Sequence, residues 1–369
     1  MQPLLQIAVL IFLLVGVSSC SVIDDTLLTE EVNDFSRGVV TLSAIIEKEF
    51  ELAEEINTLG FIDNLQFQLE LGGHPEANYE PLFQAKDIAA RRSVLAALDS
   101  YAETLAVVTS GQSISSVYTR LFGTVENLKS LSSDNFNVDH SLSFLDSNQL
   151  VNDLSLFDEL LILPARDKRL LPIVQKGDET LKNAATLLYF DIGAPADQSS
   201  KCSYTVPKND VGAAMSSLRL CKGGLRAIVK NAIDFDANTW NDKLAQTTKS
   251  STADTSAHRD AIKRIIVIQK LGLKLDKLLN DTQMTLVAMV AAHQTITETL
   301  EAAEGSQTVS LSATLKGVFF QEKVKELVKS LSAVKAEILE LTEGDAVGKS
   351  VQKSTLTSQN AGKNDENQQ

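Results

Sequence analysis

Cys202 and Cys221 are an even pair of thiols in the body of the chain, the minimum from which one disulfide can be made. Joining them would restrict the unfolded chain by roughly 3 kcal/mol on the loop-entropy model. Between them, Ser203-Tyr204-Thr205-Val206-Pro207 reads as a short extended piece, and Asp210 is a fair N-cap for a helix from Val211 towards Leu220. The bond is therefore expected to clamp a loop onto a helix. The spacing is not the C-x-x-C that perturbs thiol acidity, and no histidine stands near either sulfur in sequence, so neither redox catalysis nor metal binding is expected of the pair.

The remaining chemistry-bearing residues are scattered. His74, His140, His258 and His293 make no H-E-x-x-H and no pair at helical spacing, and there is no carboxylate-rich calcium loop. His293 alone lies on an apolar seam, where a hydrogen-bonded core histidine is expected rather than a ligand. Ser110-Gly111-Gln112-Ser113 lacks the flanking glycine of a nucleophile elbow, and Leu220-Cys221-Lys222-Gly223-Gly224 lacks the spacing and the Ser or Thr of a phosphate loop. Glu54 and Glu55 are adjacent carboxylates on a helix, without a predicted pocket to shift their acidity. No catalytic set, no metal site and no cofactor is expected, and the chain is not read as an enzyme. Asn280-Asp281-Thr282 matches a glycosylation acceptor, but it falls inside a predicted helix rather than a loop.

The third cysteine stands in a different context. Ile7 to Val17 is an unbroken apolar run of eleven residues. As a helix it would span about 16 Å, well short of a bilayer core of roughly 30 Å. It has the length of a signal-peptide core, and the small residues Ser18 and Ser19 follow it. The string Val17-Ser18-Ser19-Cys20 resembles the lipobox of bacterial lipoproteins. That resemblance implies that residues 1–19 are a signal peptide and that Cys20 becomes the lipid-bearing mature N-terminus. It also implies that Ser21, standing where Asp would retain a lipoprotein in the inner membrane, directs the chain to the outer membrane, facing the periplasm. Met1 to Gln6 lacks the usual Lys or Arg, so an ordinary secretory signal and a soluble secreted product stand as the alternative.

These residues have to be positioned by helices. The chain of 369 residues is 44 % hydrophobic and 22 % charged, with only 7 prolines and 5 % aromatics, a balance that suits a large helical body and excludes disorder throughout. Leu28, Val32, Phe35, Val39, Leu42 and Ile46 step by four and three, predicting a long amphipathic helix from Asp25 or Thr26 to Leu59-Gly60. A connector is expected over 61–81, then a helix over Ala85 to Thr109 and another over about Ser113 to Leu131. Asn148 to Leu163 is helical in pattern before Pro164, Pro172 marks a second interruption, and Asp178 to Phe190 is a further helix. Val211 to Ile233 reads as one helix broken at Gly223-Gly224.

The longest candidate opens at Asp254 or Thr255 and passes through Ile262, Ile265, Ile268, Leu271, Leu275, Leu278, Leu286, Met289, His293, Ile296 and Leu300 to Gly305. A last helix from about Ser310 to Glu343 uses Leu315, Val318, Phe319, Val324, Leu327, Leu331, Val334, Ile338 and Leu341, and Gly344 is expected to end it. The fold expected is all-α, an elongated antiparallel bundle of about six to eight helices occupying residues 20–345. Its first and last long helices are expected to pair antiparallel. The polar residues 346–369 form a tail expected to be disordered.

A formal charge of −14 opposes attraction to nucleic acid phosphates. Much of the excess lies between Asp24 and Glu80, opposed there only by Arg37 and Lys48, whereas Arg259, Lys263, Arg264, Lys270, Lys274 and Lys277 make the start of the longest helix basic. Opposite signs predict neighbouring helices with solvated faces, and a docking face for a cationic partner is the sharper alternative. The expected partners are a membrane, through lipidated Cys20, and a protein bound by a helical scaffold. The alternative product is a soluble helical effector or inhibitor.

Overall fold

The computed structural model describes residues 25–83, 85–110, 170–193, 202–204, 219–221, 224–247, 255–304 and 311–361. These residues form α1 (Asp25–Glu70), α2 (Ala85–Thr109), α3 (Leu170–Ile192), a ribbon of β1 (Cys202–Tyr204) and β2 (Arg219–Cys221), α4 (Gly224–Thr247), α5 (Thr255–Glu304) and α6 (Leu311–Ala361). The architecture is an all-α bundle with one two-stranded antiparallel ribbon. The helices expected over 113–131 and 148–163 lie outside the described residues, as do residues 1–24 with Cys20 and the lipobox-like string before it.

Helix α5 is the axis on which the others lean. It runs antiparallel to α1, with Phe35 against His293, Glu49 against Thr282 and Asp63 against Arg264. It is also antiparallel to α6, through Lys274–Glu337 and Asp281–Ser330. The first and last long helices consequently run parallel to each other, not antiparallel as their lengths suggested. The reason is that α6 follows α5 by a short connection and folds back along it, so α5 takes the antiparallel role. Helices α3 and α4 are antiparallel to α5 as well, while α2 is antiparallel to α1 and α3.

Several helix boundaries match the sequence reading: α1 begins at Asp25, α2 occupies Ala85–Thr109 and α5 begins at Thr255. Helix α1 continues ten residues beyond Gly60. There the missing side chain lets α4 approach, since a Cβ on Gly60 would stand 3.2 Å from the Asp236 Cβ. The real stop is Gly72, at φ 78°, where Gly72 N–H donates to Leu69 O and Gly73 N–H to Gln68 O, both at 3.0 Å, the paired bonds of a Schellman cap. Pro172 does not interrupt α3, because it sits in the first turn, where no partner exists for the N–H it lacks. The helix predicted across Gly223-Gly224 is also corrected: Arg219–Cys221 is a strand, and α4 starts at Gly224 with φ 77°.

Helix α6 runs through Gly344 to Ala361, so residues 346–361 of the predicted disordered tail are helical. Gly344 and Gly348 each cost a helix only about 1 kcal/mol, and no proline follows to break it. The core seams differ in phase from two expectations. On α5 Ile262 is exposed and Ala261 and Arg264 are buried, and on α6 Val318 and Phe319 are exposed while Phe320 is fully buried. Elsewhere Val32, Phe35, Val39, Leu42 and Ile46 of α1 meet Ile268, Leu271, Leu275, Leu278 and Met289 of α5 in one continuous apolar core, as the 3-and-4 spacing requires.

Candidate functional site

The polar groups buried between these helices are concentrated at a few junctions. At the first, α5 brings His293 into a fully buried position between the rings of Phe35 and Tyr101, with centroids at 5.5 and 5.6 Å. Tyr101 Oη lies 2.6 Å from His293 Nε2, His293 Nδ1 lies 2.6 Å from Asp178 Oδ1, and Thr297 Oγ1 donates to Asp178 Oδ2 at 2.9 Å. Burial, reinforced by the negative charge of Asp178, pushes the Tyr101 phenol well above its usual range. The phenol keeps its proton, and phenol, imidazole and carboxylate form one buried hydrogen-bonded chain through the two ring nitrogens. Gly177 makes the geometry possible, since a Cβ there would overlap the Tyr101 hydroxyl. The tyrosine, histidine and aspartate thus spend their polar atoms on one another and join α2, α5 and α3.

A second junction gathers α1, α4, α5 and α6. Asp63 Oδ2 accepts from Trp240 Nε1 at 2.7 Å and from Arg264 Nη2 at 2.9 Å, while Arg264 Nη1 donates to Leu341 O at 2.6 Å. Both ionised side chains are more than nine-tenths buried, and the guanidinium also lies over the Trp240 ring. The acidic first helix and the basic start of α5 thus meet in a buried pair rather than through solvated faces, while Lys274 and Lys277 pair with Glu337 and Asp281 instead of with α1. A third junction ties α4 to α5 and to the end of α3: Arg226 grips Asp276 with two bonds of 2.7 Å, and Gln283 Nε2 caps the carbonyls of Tyr189 and Gly193 at 2.9 Å. Arg91 and Asp191 form a buried pair at 2.7 Å between α2 and α3.

Burial raises the pKa of two carboxyls, the fully buried Glu49 and the partly buried Asp99. Glu49 is fully buried and accepts from the Thr282 hydroxyl; burial holds its carboxyl well above the ordinary range, against that hydrogen bond and with the charge of Asp281 adding to the rise. Asp99 is pushed up to about 6 by burial, opposed by a hydrogen bond from Ser43 and assisted by the charges of Glu103 and Glu47. The other α1 carboxylates are mostly engaged within the molecule: Glu47 with Arg92 at 2.6 Å, Glu51 with Lys48, Glu70 with Lys243 at 2.7 Å, and Glu54 with Tyr79 and the Leu82 amide.

Of the residues singled out in the sequence, Cys202 and Cys221 are brought together. They are directly opposed in the ribbon, in the register Cys202 with Cys221, Ser203 with Leu220 and Tyr204 with Arg219. The Val211–Leu220 helix expected between them gives way at its end to β2, and 205–218 lie outside the described residues. Cys20 and His140 lie outside them too. His74 is exposed in the connector and is not brought near His258 or His293 by any contact. Among the described residues no group of His, Cys, Asp and Glu could hold a metal ion, and no helix is long and apolar enough to cross a membrane. The sequence pattern does not reveal Tyr101, Asp178, Asp63, Trp240 and Arg264 as junction residues, and Gly177 stands just before the helix expected from Asp178, so its close approach to Tyr101 shows only in the fold.

The fold and these junctions define a helical bundle protein. Compared with protein-family models, with curated proteins and with solved structures, the chain matches none.

Proposed function

We propose that the chain is a lipid-anchored protein of the bacterial cell envelope, held to the outer membrane through Cys20, whose helical body serves as a scaffold or protein-binding module in the periplasm. One observation carries the reading: an apolar run of signal-peptide length ends in Val17-Ser18-Ser19-Cys20, a lipobox-like string, with the first helix opening only five residues later at Asp25. A single acyl chain binds a membrane marginally, while the several chains of a bacterial lipoprotein make desorption rare. The anchor is then close to the pole formed by the start of α1, the end of α5 and the start of α6. The opposite pole, at Glu70 and Thr255, stands about 70 Å away along the 46 residues of α1. Such a body suits reach and display, and its buried charges stiffen it.

Labelled fatty acid fed to cells making the protein should appear in it and should disappear in Cys20→Ala. Label retained by Cys20→Ala, or absent from the parent chain recovered in the soluble fraction, would favour a secreted helical effector or inhibitor instead.

A further inference from the structure

We infer that Cys202 and Cys221 are the two halves of a disulfide that spans the ribbon in the chain between α3 and α4. The backbone supplies the argument. In the antiparallel pairing of β1 and β2, Cys202 and Cys221 are each other's direct partners. Directly opposed residues in an antiparallel pair have Cα atoms about 4.5 or 5.5 Å apart, according to whether the pair is hydrogen-bonded, and both values lie inside the roughly 4.4–6.8 Å that a disulfide spans.

The base of the segment is independently fixed. Gly193 and Gly224 are the last and first described residues on either side of it, and a Cβ on Gly224 would stand 2.6 Å from Gly193 Cα and 2.8 Å from Ile192 O. The chain therefore departs and returns at one point, and only glycine, at φ 82° and 77°, allows that contact. Gln283 holds the Gly193 and Tyr189 carbonyls at 2.9 Å, and Arg226, in the first turn of α4, is gripped by Asp276. The strands thus lie near a point the bundle already clamps, so the bond requires no rearrangement of the helices.

The reaction removes two protons and two electrons from the two thiols and forms one S–S bond. The oxidant is a second disulfide, of a thiol-exchange protein or of oxidised glutathione, which accepts the electrons and leaves as two thiols through a mixed disulfide. In the cell the bond rests on the exported reading of the chain, since a reducing compartment would keep both thiols free. In a glutathione buffer it rests on the ribbon alone.

The test takes the purified full chain carrying Cys20→Ser, so that two thiols remain, and equilibrates it with reduced and oxidised glutathione before alkylation and mass analysis of the intact and digested protein. The expected product is one internal bond joining the peptides of Cys202 and Cys221. A variant with Cys221→Ser and Leu220→Cys, which moves the second thiol opposite Ser203 and onto the other face of the ribbon, should form its bond with an equilibrium constant at least about tenfold lower. Persistent alkylation of both thiols, glutathione adducts on each, or equal bonding in the shifted variant would overturn the inference. None of these outcomes depends on whether the chain is lipidated or exported.

Discussion

The buried chain from Tyr101 through His293 to Asp178 shows how much of this bundle depends on single atoms. Removing the hydroxyl in Tyr101→Phe leaves His293 Nε2 buried without its partner, which should cost about 1–3 kcal/mol in a urea unfolding experiment. Gly177→Ala drives a methyl into the same hydroxyl and should cost about 1–3 kcal/mol for a different reason, overpacking. Unchanged midpoints in both variants would contradict the network. The buried acids give a pH signature. Asp99 has a folded value near 6, above its ordinary 3.8. Its stabilising contribution is therefore fully present below the unfolded value and is lost as the pH rises through about 6, because the folded state binds the proton more tightly. Asp99→Asn should flatten the parent's loss of stability as the pH rises from about 3.8 to about 6, as read from urea midpoints; parallel curves would refute the assignment. Glu49→Gln should act in the same direction and stabilise the neutral-pH protein.

At the scale of elements, glycine decides where helices touch. A Cβ on Gly38 would stand 2.5 Å from the Phe320 ring, whereas one on Gly317 meets nothing within 4 Å. Gly317→Ala should stabilise α6 by about 0.5–1 kcal/mol through helix propensity, and Gly38→Ala should destabilise by separating α1 from α6. Thermal unfolding of the two variants should move in opposite directions. The same residue type explains why the sequence was only partly legible. Apolar spacing alone located α2 over Ala85–Thr109 and the start of α5, since both follow the helical period and begin at clear signals. Gly60 reads as a stop in the sequence, though its role is contact with Asp236, and the actual stop falls at Gly72, in the Gly72-Gly73-His74-Pro75 stretch whose composition is turn chemistry. Pro172 was read as a break because its place in the first turn was not apparent. A strand of three residues at Arg219–Cys221 has too little length to show a period, and its pairing is set by a partner distant in sequence. The polar junctions escaped for a similar reason: Asp63, Trp240 and Arg264 are ordinary members of three separate helical patterns until folding brings them together.

For the whole molecule, α5 is both axis and ruler. Fifty helical residues give a rod of about 75 Å, far longer than a compact sphere of this mass would allow in one element. Small-angle scattering of residues 25–361 should return a maximum dimension of at least about 75 Å. Within the rod, Arg264 locks four helices at the pole away from the start of α1, so Arg264→Ala, which leaves Asp63 buried and without that cation, should cost about 3–5 kcal/mol and lower the melting temperature accordingly. The function proposed for this long body depends on its attachment through Cys20. The most direct measurement is therefore the mass of the N-terminal peptide of the mature protein recovered from its native membrane: the account predicts a chain beginning at Cys20 and carrying a thioether-linked diglyceride, and a chain beginning at Ser21, or at an unmodified Cys20, would contradict it.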